Sequence, residues 1–369
     1  MKIGIMSMQR IVNYGSFLQA YALKSTLEGI SPDNEVVFVD YHPGVPLSTV
    51  SGIECNRESR FLRLLKVLFS PKYRNKRNAE IDQNKAFELF YSRFKNEWLP
   101  LLGIDDNYHY NTELDLLVIG SDEVFNCTQA NREVGYSPEL FGANNKADKL
   151  ITYAASFGST TMDLLNEYRI CDEVASYLKS FDYISVRDNN SFEIVKQLTG
   201  KEPLMHVDPV LIYDFDNLVP ENVDLSNYII VYAYSGRITS EEAKAIQETA
   251  HRLGKKTLSI GVKQSFTDEY RCVDPFTMLA YFKNADYVVT DTFHGTVFSI
   301  KYQIPFAVFI RESNKEKISD LLRKFDLENR AVEDENDVGA TLIVQLEKEL
   351  VKKSIEKYQT DSLYYLSKP

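Results

Sequence analysis

The residues best placed to do chemistry lie where Ala285-Asp286-Tyr287-Val288-Val289 runs into Thr290-Asp291-Thr292-Phe293-His294-Gly295-Thr296. A short apolar run, a Thr-Asp-Thr turn and a helical pattern read as buried strand, polar turn and helix N-terminus. Free backbone N–H groups and the helix dipole at such a point favour an anion. An imidazole there, His294, can bind a phosphate or carboxylate and act as general acid or base. The plainer alternative is a histidine that caps the helix or bonds a carbonyl.

Other cations follow other strands. Arg187 comes after the apolar Tyr183–Val186 and can grip a carboxylate or phosphate in bidentate fashion, or pair with Asp188. Arg311 and Lys315 follow Phe306–Ile310, the next strand after the His294 helix. Consecutive strands of a doubly wound sheet usually lie side by side, so these two can share a pocket with His294. Glu312 and Glu316 offer them a solvated turn instead. Asn13-Tyr14-Gly15-Ser16 closes the first strand-to-helix turn, with Gly15 allowing close approach and Ser16 able to cap. It is not G-x-G-x-x-G, so no dinucleotide site is supported. Asp208 precedes Pro209, a natural turn former. H-E-x-x-H, P-loop and G-x-S-x-G patterns do not occur, and no spacing demands a metal.

The elements that must hold these residues alternate. Strands are expected at Ile3–Met6, Glu35–Tyr41, Leu114–Ile119, Lys149–Ala155 and Tyr183–Val186, with helices at Ser16–Leu27, Arg60–Phe69 and Ile81–Trp98. Near-continuous apolar strands between helices indicate a parallel sheet covered on both faces, with ligands beyond the strands' carboxyl ends. Ser121, Asp122, Ser156 and Arg187 all fall there. An acidic, aperiodic stretch at 213–227 divides a first domain, 1–212, from a second alternation, 228–340. The tail, 341–369, is charged, and a helical period runs from Ala340 to Tyr358. The simplest architecture is α/β: two doubly wound Rossmann-type domains facing across a cleft.

Bulk properties exclude several classes. The 369 residues are 44% hydrophobic and 26% charged, as in globular proteins. A net charge of −11 argues against nucleic acid as partner. Four scattered cysteines without a CxxC pair suggest neither a zinc site nor a redox dithiol and fit a reducing cytosol. Neither a signal peptide nor a membrane span is read, so a cytoplasmic location is expected. The one basic stretch, Arg57 to Arg77, interleaves cations with Phe61, Leu62, Leu64, Leu65, Val67, Leu68 and Phe69. It reads as a packed helix with a solvated basic face or as a contact with an anionic membrane surface.

Several of these segments together resemble the polysaccharide pyruvyl transferase family. They are Asn13–Leu23, Val118–Asn126, Ile151–Gly158, Ile184–Asp188, Val207–Pro209 and Thr292–Thr296, in the family's order over about residues 1 to 317. The resemblance implies a GT-B-like fold. It implies transfer of a pyruvyl group from phosphoenolpyruvate to a sugar of a capsule, exopolysaccharide or wall glycan, forming a pyruvate ketal. It assigns donor binding and catalysis to Arg187 and His294 and to a lysine matched best by Lys315, with Lys317 competing. On this reading Thr290, Asp291, Thr292, Phe293, Gly295, Thr296 and Arg311 line the donor, and no cofactor is required. Asn13, Gly15, Ser121, Asp122, Asn126, Tyr153 and Ser156 would meet the acceptor. Family acceptors are often lipid-linked, which favours the membrane reading of Arg57–Arg77 at the inner face of the plasma membrane. The competing readings are a GT-B glycosyltransferase using a nucleotide sugar, and a non-catalytic protein that binds glycan or phosphate.

Overall fold

The computed structural model describes residues 1–47, 71–110 and 112–369, with residues 71–80 as backbone alone. Most of the basic stretch Arg57–Arg77 therefore lies outside the described residues; from Pro71 its backbone is helical. Apolar runs buried on both faces build two six-stranded sheets in which every neighbouring pair is parallel.

The first sheet comprises β1 (Lys2–Met6), β2 (Glu35–Phe38), β3 (Glu113–Asp122), β4 (Lys146–Ala155), β5 (Ser185–Val186) and β6 (Leu204–Met205), in the order β2-β1-β3-β4-β5-β6. The second comprises β7 (Tyr228–Tyr232), β8 (Lys256–Ile260), β9 (Glu269–Arg271), β10 (Tyr287–Thr290), β11 (Phe306–Phe309) and β12 (Ala331–Val332). Its order, β12-β11-β10-β7-β8-β9, is that of dinucleotide-binding sheets. Strand order reverses between β1 and β3 in one sheet and between β7 and β10 in the other. Ligand crevices open at such switch points. The architecture is the expected GT-B-like pair of Rossmann-type domains.

The domains share one apolar core, which takes in Ile5, Phe17 and Leu23 as well as Val288, Val297 and Val308. Tyr14 Oη donates to the Val273 carbonyl across the boundary at 2.6 Å, and Phe17 meets Phe276 edge-on with ring centres 6.2 Å apart. Residues 213–227 join the sheets without a helix or strand.

The tail departs from the expected single helix over Ala340–Tyr358. It forms two helices, Val338–Ile343 and Lys348–Leu366. The cause is Arg330, which is fully buried and donates to the carbonyls of Thr341, Val344 and Gln345 at 2.9–3.2 Å. Carbonyls drawn to a guanidinium end the first helix there. The second helix then returns to the first domain, where Tyr365 Oη donates to the Thr152 carbonyl at 2.7 Å. Among the described residues no helix is long and apolar enough to cross a membrane.

Candidate functional site

His294 stands in the first turn of the Phe293–Lys301 helix, just past β10. Thr292 is the N-cap, its Oγ1 accepting from Gly295 N at 2.9 Å. Thr290 Oγ1 donates to the Tyr232 carbonyl at 2.6 Å and ties β10 to β7. A Cβ on Gly295 would come within 2.2 Å of that same oxygen, so the turn closes only around glycine.

A charged relay runs from this histidine back into the first domain. His294 Nε2 lies 3.5 Å from Asp208 Oδ2, which accepts from Arg187 Nη1 at 3.2 Å. Arg187 Nη2 donates to Asp122 Oδ1 at 3.2 Å, and Asp122 Oδ2 accepts from Ser16 Oγ at 2.9 Å. The guanidinium also stacks on Phe293, 4.3 Å from the ring centre. Each relay residue stands at the carboxyl end of a strand or the first turn of a helix, as the switch-point rule requires. Asp208 additionally caps the short Pro209–Ile212 helix.

Burial pushes the Asp122 and Asp208 carboxyls up, but their cationic partners outweigh it and hold both below the usual carboxylate range. For Asp122 those partners are led by Arg187, and for Asp208 by His294. Behind the relay, Lys324 Nζ donates to the Arg187 carbonyl at 2.5 Å; burial lowers its pKa to about 8. Arg187 Nε and His294 Nε2 are buried without a hydrogen-bond partner among the described residues.

His294 and Thr292 line a cavity of about 300 Å3 between the domains. Asn13 and Tyr14 line it from the first domain, Tyr232, Tyr234 and Lys263 from the second. The Asp208 carboxylate stands 3.5 Å from His294 Nε2, on the side of the ring away from Nδ1. Gly15 sits against that nitrogen: a Cβ there would come within 2.1 Å of Nδ1. Gly15→Ala should therefore displace the imidazole while favouring its own helix by about 0.5–1 kcal/mol. A crystal structure of that variant with the His294 ring unmoved would refute the tight fit.

Not every expected site residue reaches the cavity. Thr292, His294 and Asn13 do. Thr290, Asp291, Gly295 and Thr296 are buried and build the turn rather than present groups to a ligand. Ser121, Asn126, Tyr153 and Ser156, expected to meet an acceptor, are almost wholly buried. Tyr153 Oη donates to the Val207 carbonyl and Ser156 Oγ to Asp188, so they are fastenings between strands. Arg311 turns away onto Glu242, with both Nη atoms bonded to its carboxylate at 2.7 and 2.8 Å. Arg187 is 5% exposed and committed to two carboxylates, so it holds the relay rather than offering itself to an anion.

Lys315 is exposed, whereas Lys317 is half-buried, paired with Glu123 and 5.9 Å from the Phe293 ring centre. Lys317 thus stands nearer the relay than Lys315, though neither is among the residues that line the His294 cavity. Lys263 was missed, although it follows β8 as Arg187 follows β5. Among the described residues no cluster of three or more His, Cys, Asp or Glu side chains is placed to hold a metal ion.

A family model described as polysaccharide pyruvyl transferase matches residues 13–313. No curated protein matches the sequence significantly. Among solved structures, a mutant O-GlcNAc transferase of Thermobaculum terrenum is 13% identical, with a TM-score of 0.45, over 100% of this chain and 65% of that one. This chain thus spans less than two thirds of that transferase. The S. aureus MnaA–UDP structure is 10% identical with a TM-score of 0.48, covering 99% of this chain and 90% of that one. The E. coli heptosyltransferase WaaC with ADP is 12% identical with a TM-score of 0.36, covering 97% of this chain and 100% of that one.

Proposed function

The chain belongs to the polysaccharide pyruvyl transferase family, and from that premise we propose that it moves the pyruvyl group of phosphoenolpyruvate onto two hydroxyls of a glycan sugar, forming a ketal. The observation that carries the reading is His294 lining an interdomain cavity, backed by Asp208 and, through it, by Arg187 and Asp122. Protonating the enol carbon C3 makes C2 electrophilic. One acceptor hydroxyl adds at C2 and loses its proton, and the C2–O bond to phosphate breaks. The second hydroxyl then adds to the cationic C2 and gives its proton to the departed phosphate, closing the ketal, so that one hydrogen phosphate is released per transfer. His294 Nδ1 is the proton donor to C3. The donor's negative charge is met by Lys263, Lys317 and the N-terminus of the His294 helix, while Arg187 positions Asp208.

The test is phosphate release from phosphoenolpyruvate in the presence of candidate glycans. Release that requires the acceptor supports transfer. Binding of the donor without release in any acceptor would leave the non-catalytic reading standing. Within this scheme Lys317→Met should raise the phosphoenolpyruvate KM about 10- to 100-fold, as expected for losing a charge-assisted contact. Lys317→Arg should recover most of it. Lys315→Met should stay within about twofold, as surface changes do; the reverse ranking would restore Lys315 as the donor lysine.

A further inference from the structure

Beside the His294 cavity lies a second groove, of about 480 Å3, at the carboxyl ends of β1 and β2. Val12 lines both, so the two spaces adjoin. Its volume falls within the range of about 300–1,000 Å3 usual for small-molecule sites. One wall is the irregular segment 105–110, which is fastened with unusual thoroughness. Arg10 pairs with Asp40 through Nε at 2.6 Å and Nη2 at 3.0 Å, and the same guanidinium donates to the carbonyls of Asp105 and Asn107. Asp40 in turn accepts from His109 N at 2.8 Å. This scaffold carries a ladder of rings. The Arg10 guanidinium lies 4.2 Å from the Tyr108 ring centre, Tyr108 stacks on Tyr110 at 5.8 Å and 6°, and Tyr110 stacks on His42 at 4.0 Å and 14°. Tyr108 remains 56% exposed. Packing does not require a ring more than half exposed to be held on both Arg10 and Tyr110, whereas a ligand that contacts it gains from the preorganisation.

We propose that this groove is the acceptor subsite and that its occupant is an uncharged glycan, one or two sugar rings long. The proposal rests on the pyruvyl-transfer reading for its role, but not for its binding chemistry. Tyr108, with Arg10 over its ring and Tyr110 stacked on it, offers its exposed edge and hydroxyl to a sugar, and Lys95 Nζ, 4.7 Å from the Tyr91 ring centre, offers a donor beside it. Lys95, Arg132, Asp105, Asp106 and Glu133 line the same groove and supply donors and acceptors of both signs to hydroxyls. Acidic groups outnumber the cations left after Arg10 pairs with Asp40, so the groove has no positive field for a diphosphate. A sugar nucleotide is therefore the wrong ligand for it. The shared wall at Val12 brings the far end of such a glycan next to His294.

The experiment is binding of the full chain to a printed array of neutral hexose and N-acetylhexosamine di- and trisaccharides, with UDP-glucose and UDP-N-acetylglucosamine in competition. Wild type should bind a subset of the neutral glycans and resist competition, and Tyr108→Ala should weaken that binding about tenfold or more. In the phosphate-release assay the same variant should raise the acceptor KM and leave the phosphoenolpyruvate KM unchanged. No binding to any neutral glycan, or displacement by the UDP sugars, overturns the subsite. So does turnover in which Tyr108→Ala leaves the acceptor KM unaltered, although pyruvyl transfer then stands. Glycan binding lost in Tyr108→Ala, with no phosphate release by wild type, supports the subsite while overturning the transfer reading.

Discussion

His294→Gln should lower kcat for acceptor-dependent phosphate release about 10²–10⁴-fold, the usual worth of a positioned general acid. That corresponds to about 3–5 kcal/mol of transition-state stabilisation. Glutamine keeps a polar group near Asp208, so the relay retains its fold while losing the proposed proton donor. The phosphoenolpyruvate KM should change little, because in the proposed scheme the anions are met by Lys263, Lys317 and backbone N–H groups. A variant with kcat within about threefold of wild type would remove His294 from the chemistry and leave it as a helix-turn residue. A large rise in KM at unchanged kcat would make it a binding group alone.

How far the sequence alone could lead is clear from which residues it placed well. The strands announce themselves because both faces are buried, so Leu114–Ile119 and Tyr287–Val289 are nearly unbroken apolar runs. The rule that ligands gather at carboxyl ends of strands then picks out Asp122 and Arg187, the strand-turn-helix pattern picks out His294, and the three are joined through Asp208, which reads in sequence as a turn former before Pro209. It does not say which polar side chains at those ends point outward. Tyr153 and Ser156 stand at the right ends of the right strands, yet Tyr153 bonds to the Val207 carbonyl and Ser156 to the buried Asp188 carboxylate. The difference lies in partners remote in sequence, and no local pattern reports them. Arg311 fails for the same reason, since Glu242 comes from a helix 69 positions earlier. The choice between Lys315 and Lys317 turns on helix phase after the short Glu312–Asn314 turn, where a shift of two residues swings a side chain to another face. The Tyr108 ladder has no periodicity to betray it, and only the Arg10–Asp40 pair shows that its loop is rigid.

The second large effect concerns Asp208 and separates position from mere stability. Asp208→Asn should cost about 3–5 kcal/mol of stability, because it breaks a buried pair and leaves the Arg187 guanidinium short of negative charge. Asp122→Asn breaks the other arm of the same guanidinium and should cost a similar amount. The contact that matters for catalysis differs: Asp208 lies 3.5 Å from His294 Nε2, whereas Asp122 accepts from Ser16 Oγ and Glu123 N and makes no ion pair with that ring among the described residues. An amide at position 208 can present its NH2 to Nε2 and select the wrong imidazole tautomer. Asp208→Asn should therefore lower kcat by about 10² or more, with Asp122→Asn well short of that when both are assayed below their unfolding transitions. Combining Asp208→Asn with His294→Gln should add little further loss, since the carboxylate acts through the imidazole. If the losses instead multiply, Asp208 works on the donor by another route. If the two asparagine variants lose activity equally, the relay is a structural brace and His294 acts without it.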